Sequence, residues 1–200
     1  AGVNNNTEGF DDGKEGRIAR VSTRTNTVTG ISGIAPMLSG FNQDRTAFSP
    51  PSVPFKNTYA VAAPVNANPS TGYFNQMHSL TEDPANPSRV YFTSIAAQPE
   101  PPINFSNNVQ AFIGNLNTST GAEDAALKTN LNNLIRVETD PAQPLDASTS
   151  LARTFMGDTV DMVIRNGVAL FVTRAGSYVL KGTVGANGVI SPTTSRPLSV

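Results

Sequence analysis

Val160-Asp161-Met162-Val163-Ile164-Arg165-Asn166-Gly167-Val168-Ala169-Leu170-Phe171-Val172-Thr173 decides the fold class of this chain. Asn-Gly between two apolar runs is the strongest short-range signal for a β-hairpin. A further run, Tyr178 to Val184, follows, and Asn187-Gly188 turns into Val189-Ile190. The same plan recurs upstream. Met77-His78-Ser79-Leu80, a turn at 83–88 and a run from Val90 to Ile95 read as strand, turn, strand, so that Val90-Tyr91-Phe92-Thr93 superposes on Leu170-Phe171-Val172-Thr173. Residues 108–117 form the next strand, ending in Asn117-Thr118-Ser119-Thr120-Gly121. Residues 17–31 form another hairpin around Thr23-Arg24-Thr25-Asn26-Thr27. Recurring strand units mark a repeat architecture, and four short antiparallel strands per unit is the plan of a propeller blade. The expected fold is all-β.

Between these units the chain changes character. Pro36, Pro50, Pro51, Pro54, Pro64 and Pro69 interrupt residues 32–75, where Phe41, Phe48, Phe55, Tyr59, Tyr73 and Phe74 are interspersed. Prolines at this frequency oppose helices and central strands, so the segment reads as a long insertion or arm held down by its aromatics, with one strand at 58–63. Gln98-Pro99-Glu100-Pro101-Pro102 reads as a stiff connector. Ala122 to Lys128 favours a short helix by propensity, and Asn130, Asn132 and Asn133 oppose its extension. The expected blade-like units are 1–75, 76–150 and 151–200.

With 200 residues the chain is long enough for one sizeable core or two small ones. Its 14 basic and 15 acidic side chains nearly balance, so nothing in the composition calls for nucleic acid. No run approaches the apolar length of a transmembrane helix. The chain has no cysteine, which excludes disulfides, a cysteine nucleophile and thioether-attached haem within this sequence. A cysteine-free composition rich in Asn and Thr and poor in Lys suggests an exported bacterial protein: periplasmic, secreted or at the cell surface.

Leu170-Phe171-Val172-Thr173-Arg174-Ala175-Gly176, Val90-Tyr91-Phe92-Thr93-Ser94 and the hairpin from Ile18 to Val28 resemble the bacterial YVTN-type seven-bladed β-propeller repeats. The resemblance covers about half of the chain. It implies blades of antiparallel strands and an exported protein; some similar proteins are fused to c-type cytochrome domains. Ala1-Gly2 falls where Ala175-Gly176 falls in that pattern. The chain is therefore expected to begin inside a blade and to hold two or three blades of an incomplete propeller, a fragment of something longer.

Candidate chemistry is sparse. His78 is the only histidine; a general base needs a nucleophile and an orienting acid beside it, and a structural histidine on an inner strand is the plainer reading. Asp11 and Asp12, with Asn4, Asn5, Asn6 and Glu8, supply oxygen ligands of the kind calcium takes, without the spacing of a calcium loop. Asp158 and Asp161 flank the start of an inner strand. In lactonase-type propellers, carboxylates and Asn at such strand ends hold a channel metal, and this is implied here by the resemblance alone; a turn cap and an exposed strand residue is the plainer reading. The expected function is a non-catalytic structural or interaction module, whose partners are the remaining blades or other protein subunits. The alternatives are a lactonase-like metal-dependent hydrolase and an accessory propeller of a c-type cytochrome electron-transfer protein.

Overall fold

The structure, a computed structural model, describes residues 2–3, 14–42, 69–97, 109–139, 156–175, 177–192 and 198–199. Their strands form three antiparallel sheets. The first is β1 (Gly2–Val3), β2 (Lys14–Ser22) and β3 (Thr27–Ile34), side by side in that order. The second runs β4 (Met37–Asn42), β5 (Pro69–Asp83), β6 (Asn86–Ala97), β7 (Val109–Asn117) and β8 (Thr129–Asn130), each strand beside its neighbour in sequence. The third holds β9 (Gly157–Arg165), β10 (Val168–Ala175) and β11 (Tyr178–Val184), with β12 (Ile190–Pro192) and β13 (Leu198–Ser199) both paired to β11. The one α-helix among the described residues is α1 (Leu131–Thr139). The chain is all-β in class.

Local chemistry fixes the hairpins. Asn166 and Gly167 have φ of 51° and 72°, the pair of left-handed residues that a two-residue type I′ turn requires. Asn26, at φ 53°, closes the β2–β3 turn, and its N–H donates to the Ser22 carbonyl at 2.7 Å. The β5–β6 turn is tighter than the sequence suggests: Asp83 already lies opposite Asn86, leaving Pro84 and Ala85 in the turn, where the Ala85 N–H donates to Asp83 Oδ1 at 2.9 Å.

Two sequence expectations are corrected. The second sheet draws β4 and part of β5 from the 32–75 insertion. Pro36 precedes β4 and Pro69 opens β5, positions where a missing N–H costs a sheet nothing. The strand expected at 58–63 and the 98–102 connector lie outside the described residues. The helix, expected at Ala122 to Lys128, instead occupies Leu131–Thr139, and Ala125–Leu127 makes only a 3-10 turn. The asparagines expected to break a helix start one. Asn130 caps it, its Oδ1 accepting the Asn132 N–H at 3.0 Å, the ordinary N-cap role of Asn.

The sheets stack face to face, with the second in the middle. On one side, Phe74, Phe92, Ala96, Phe112 and Leu116 pack with Ile34 of the first sheet, and the Phe74 ring centroid lies 5.7 Å from Phe92 and 5.3 Å from Phe112. On the other side, Tyr91, Ala111 and Ile113 pack with Met162, Ile164, Ala169, Phe171 and Leu180 of the third sheet and with Leu131 and Ile135 of α1. Because both faces are covered, seven consecutive residues of β7, Gln110 to Leu116, are buried, without the alternation of a strand that has one wet face. Gly114 belongs to this packing: a β-carbon there would run into the Phe92 ring.

The superposition of Val90-Tyr91-Phe92-Thr93 on Leu170-Phe171-Val172-Thr173 does not carry over to the faces. Tyr91 and Phe171 point into the same core, toward one another. Yet β5 and β9 run in the same direction, since His78 meets Asp158 and Thr81 meets Met162. Rotating one sheet onto the next therefore requires a shift of one residue between the two motifs.

Buried amides tie these layers together. Asn132 Nδ2 donates to the Met156 carbonyl at 2.6 Å and its Oδ1 accepts the Met156 N–H at 2.6 Å, fixing the chain just ahead of β9. Asn130 Nδ2 donates to the Ser39 carbonyl and to Gln110 Oε1. Asn132→Ala strands both backbone groups of Met156 in the core. An unsatisfied buried group costs about 1–3 kcal/mol, so the variant is expected to lose at least about 2 kcal/mol in urea unfolding monitored by circular dichroism.

Candidate functional site

Three ionisable side chains meet where the second and third sheets face each other. His78 Nε2 lies 3.6 Å from Asp158 Oδ1, and Arg174 Nε donates to Asp158 Oδ2 at 2.7 Å. The backbone is irregular at both contributing strands. On β5 the pairing to β6 slips between Met77 and Leu80, which leaves one extra residue at His78-Ser79. On β9 the pairing to β10 slips between Val172 and Thr173, and Asp158 has a φ of 51°. Bulges re-aim side chains, and a left-handed φ at a residue other than Gly costs about 1 kcal/mol or more. Asp158 is held in that conformation while its carboxylate bridges a histidine of one sheet and an arginine of the next.

The electrostatics follow from this contact. The hydrogen bond that Arg174 donates to Asp158, reinforced by that carboxylate's charge, raises the Arg174 pKa above its ordinary value. Asp158 Oδ1 is buried without a hydrogen bond, His78 being at ion-pair distance only. The pair of a histidine and a carboxylate is the orienting half of a general base, but no hydroxyl among the described residues bonds to His78. Ser79 is committed to the bulge, its N–H donating to Thr93 Oγ1 at 3.2 Å and its hydroxyl lying 3.3 Å from the same oxygen. Asp161 stands apart: exposed, with its Oδ1 accepting the N–H of Met162 at 2.8 Å. Among the described residues no three His, Cys, Asp or Glu side chains gather as metal ligands.

The other sequence candidates divide between the core and the region outside the described residues. Asp11 and Asp12, with Asn4, Asn5, Asn6 and Glu8, lie outside it, as do Phe48, Phe55 and Tyr59. Tyr73 and Phe74, read as part of an aromatic arm, are core residues of β5. No helix among the described residues is long and apolar enough to cross a membrane.

Sequence reasoning missed a second cluster at the other end of the interface. Arg89 Nη1 lies 3.4 Å from Asp83 Oδ2 and 3.4 Å from the Tyr91 hydroxyl. That hydroxyl donates to the Gly188 carbonyl at 2.7 Å. The β11–β12 turn thus hangs on the second sheet through a buried phenol. Gly188, at φ 89°, lies so close that a β-carbon would collide with the Arg89 guanidinium. Asn187-Gly188 was visible as a turn; its docking was not.

No family model matches the chain, and no curated protein matches it. The class that the fold defines is an all-β protein of stacked antiparallel sheets.

Two measurements probe the interface. Burial raises the Tyr91 pKa above 10.0, the nearby Asp83 charge adds to this, and the Arg89 hydrogen bond and charge oppose it. The phenol therefore stays protonated in the folded chain at a pH where the unfolded chain ionises. Its stabilising effect is complete below pH ~10, the ordinary phenol value, and is lost as pH rises through the higher folded value. Tyr91→Phe is expected to flatten the alkaline limb of a stability profile in urea and to lower stability at neutral pH by about 1 kcal/mol. For the charge cluster, a double-mutant cycle of His78→Ala and Asp158→Asn is expected to return a coupling below about 1 kcal/mol, since both partners are partly exposed.

Proposed function

We propose that this chain is a non-catalytic structural and interaction module, in which blade-like sheets of propeller type continue into further antiparallel sheets. The observation that supports this reading is the chemistry of the two outer faces. The middle sheet is covered on both sides at β7, with only the scattered Leu38 and Leu80 exposed among its described large apolar residues, whereas each terminal sheet buries one face and leaves clustered apolar side chains on the other. On the first sheet these are Val21, Val28 and Ile31, the last 65% exposed. On the third they are Val163, Leu170 and Val172, with Val163 54% exposed. Val21 lies opposite Val28 and Leu170 opposite Val163, so each set forms a contiguous cross-strand patch.

Clustered β-branched side chains on an outward sheet face mark an interaction surface, and a sheet is the shape that fits a sheet. The covering sheets would come from the rest of a longer chain or from other protein subunits, in the manner of the propeller repeats that the strand motifs resemble. An extracytoplasmic location, supported by the cysteine-free, Asn/Thr-rich composition, belongs to the same proposal.

The test is the association state of the isolated chain, measured by light scattering over a range of concentrations. With the outer face of the third sheet free to seat on the outer face of the first, head-to-tail oligomers are expected. Val163→Lys with Leu170→Lys, and separately Val21→Lys with Ile31→Lys, should each yield monomers whose unfolding free energy stays within about 0.5 kcal/mol of the parent. A strictly monomeric parent at high micromolar concentration, or association that both double variants leave unchanged, overturns the proposal.

A further inference from the structure

A polar cleft of about 420 Å³ opens where the strand ends of the second sheet meet the β11–β12 turn of the third. Its volume falls in the ~300–1,000 Å³ range of small-molecule sites. Four asparagines line it, and three of them, Asn86, Asn117 and Asn187, each spend the side-chain carbonyl oxygen on their own turn. Asn86 Oδ1 accepts the Ser88 N–H at 3.2 Å, Asn117 Oδ1 accepts those of Ser119 and Thr120 at 2.9 and 3.0 Å, and Asn187 Oδ1 accepts that of Val189 at 3.1 Å. Their torsions are therefore fixed, and the amide NH2 group is the remaining polar end of each. Arg89, opposite Asn117 across the β6–β7 ladder, spends Nη1 on Asp83 and Tyr91 and keeps its other N–H groups.

The acceptor in the cleft is Asp124. Its Oδ1 takes the Ala126 N–H at 3.0 Å, leaving Oδ2 as the free oxygen. Its backbone is clamped by the buried Asn115, whose Nδ2 donates to the Asp124 carbonyl at 2.8 Å and whose Oδ1 accepts the Asp124 N–H at 3.0 Å. The charges select among ligands. Arg89 is balanced by Asp83, and Glu123 by Lys128 at 3.1 Å, which leaves the Asp124 carboxylate unbalanced and makes an anionic ligand unfavourable. Among the described residues no aromatic side chain lines the cleft, so none of them offers a planar ring a face to stack on.

A row of fixed donors beside one fixed acceptor, net negative and without a stacking face, suits a ligand whose polar groups each donate and accept. Hydroxyl groups do both. We propose that this cleft is a binding site for a neutral saccharide, whose hydroxyls accept from the Asn86, Asn117, Asn187 and Arg89 N–H groups and donate to Asp124. Because it is shared between two sheets, the site exists only when the Tyr91 hydroxyl holds the β11–β12 turn in place.

The experiment is saturation-transfer NMR of the intact chain with glucose, galactose, mannose, N-acetylglucosamine and their β-linked dimers, with citrate and inorganic phosphate as anionic controls. At least one sugar is expected to bind while the anions do not. Asn187→Asp and Asn117→Asp keep the oxygen that each turn requires and remove the donor, so each should weaken binding about tenfold with an unchanged thermal midpoint. If Asn117→Asp lowers the midpoint, Asn187→Asp, at an exposed turn, decides the matter alone. Absence of transfer to every sugar, binding that Asn187→Asp leaves unaltered, or binding of the anions in place of sugars overturns the proposal.

Discussion

Burial of the middle sheet on both faces is the constraint on which the rest depends. Phe92 on one side and Tyr91 on the other are adjacent in sequence, and both are removed from water. That is possible only with a sheet above and a sheet below. Replacing a buried aromatic by alanine typically costs about 3–5 kcal/mol, so the two neighbours together commit a large share of the roughly 5–15 kcal/mol that holds a domain folded. The cost falls on the outer sheets, each of which supplies one apolar face to the middle and is left with another.

Apolar stacking has no preferred direction, and polar contacts supply it. Asn132 grips the backbone of Met156, Thr81 donates to the Met162 carbonyl at 2.8 Å, and the Tyr91 phenol holds Gly188. On the other side, Lys128 Nζ donates to the Ala35 carbonyl at 3.0 Å while Glu123 accepts the Ala35 N–H, which pins the β3–β4 connection. The contacts of Asn132, Thr81 and Tyr91 are buried or partly buried, where an unmade hydrogen bond costs more than a made one contributes. They fix the position of one sheet on the next.

The candidate site was legible in parts, and the parts divide by sequence separation. Asn166-Gly167 sets the β9–β10 register, and counting back from a two-residue turn brings Arg174 opposite Asp158 to within one residue; the bulge at Val172/Thr173 supplies the last step. His78 comes from a strand 80 positions upstream of Asp158, and nothing in the local pattern of either element pairs them. The polar cleft was hidden for the same reason. Asn86, Asn117 and Asn187 all read correctly as turn residues, since turn formation is local, but their convergence depends on how two sheets are stacked. The asparagines at 130 and 132 misled in the opposite way: opposed to a helix by propensity, they start one because a cap and a buried backbone partner outweigh a few tenths of a kcal/mol of intrinsic preference.

The sequence by itself determined that this is an all-β chain of antiparallel hairpins, with the positions of its tight turns and of most strands. Those features rest on interactions between residues a few positions apart: alternation of side chains and left-handed Asn and Gly. Only the tertiary structure decided that β4 and β5 emerge from the proline-rich segment, that Tyr91 and Phe171 face each other, and that His78, Asp158 and Arg174 meet. Face and partner are set when apolar surfaces choose what to bury against, and that choice is made by the whole stack at once.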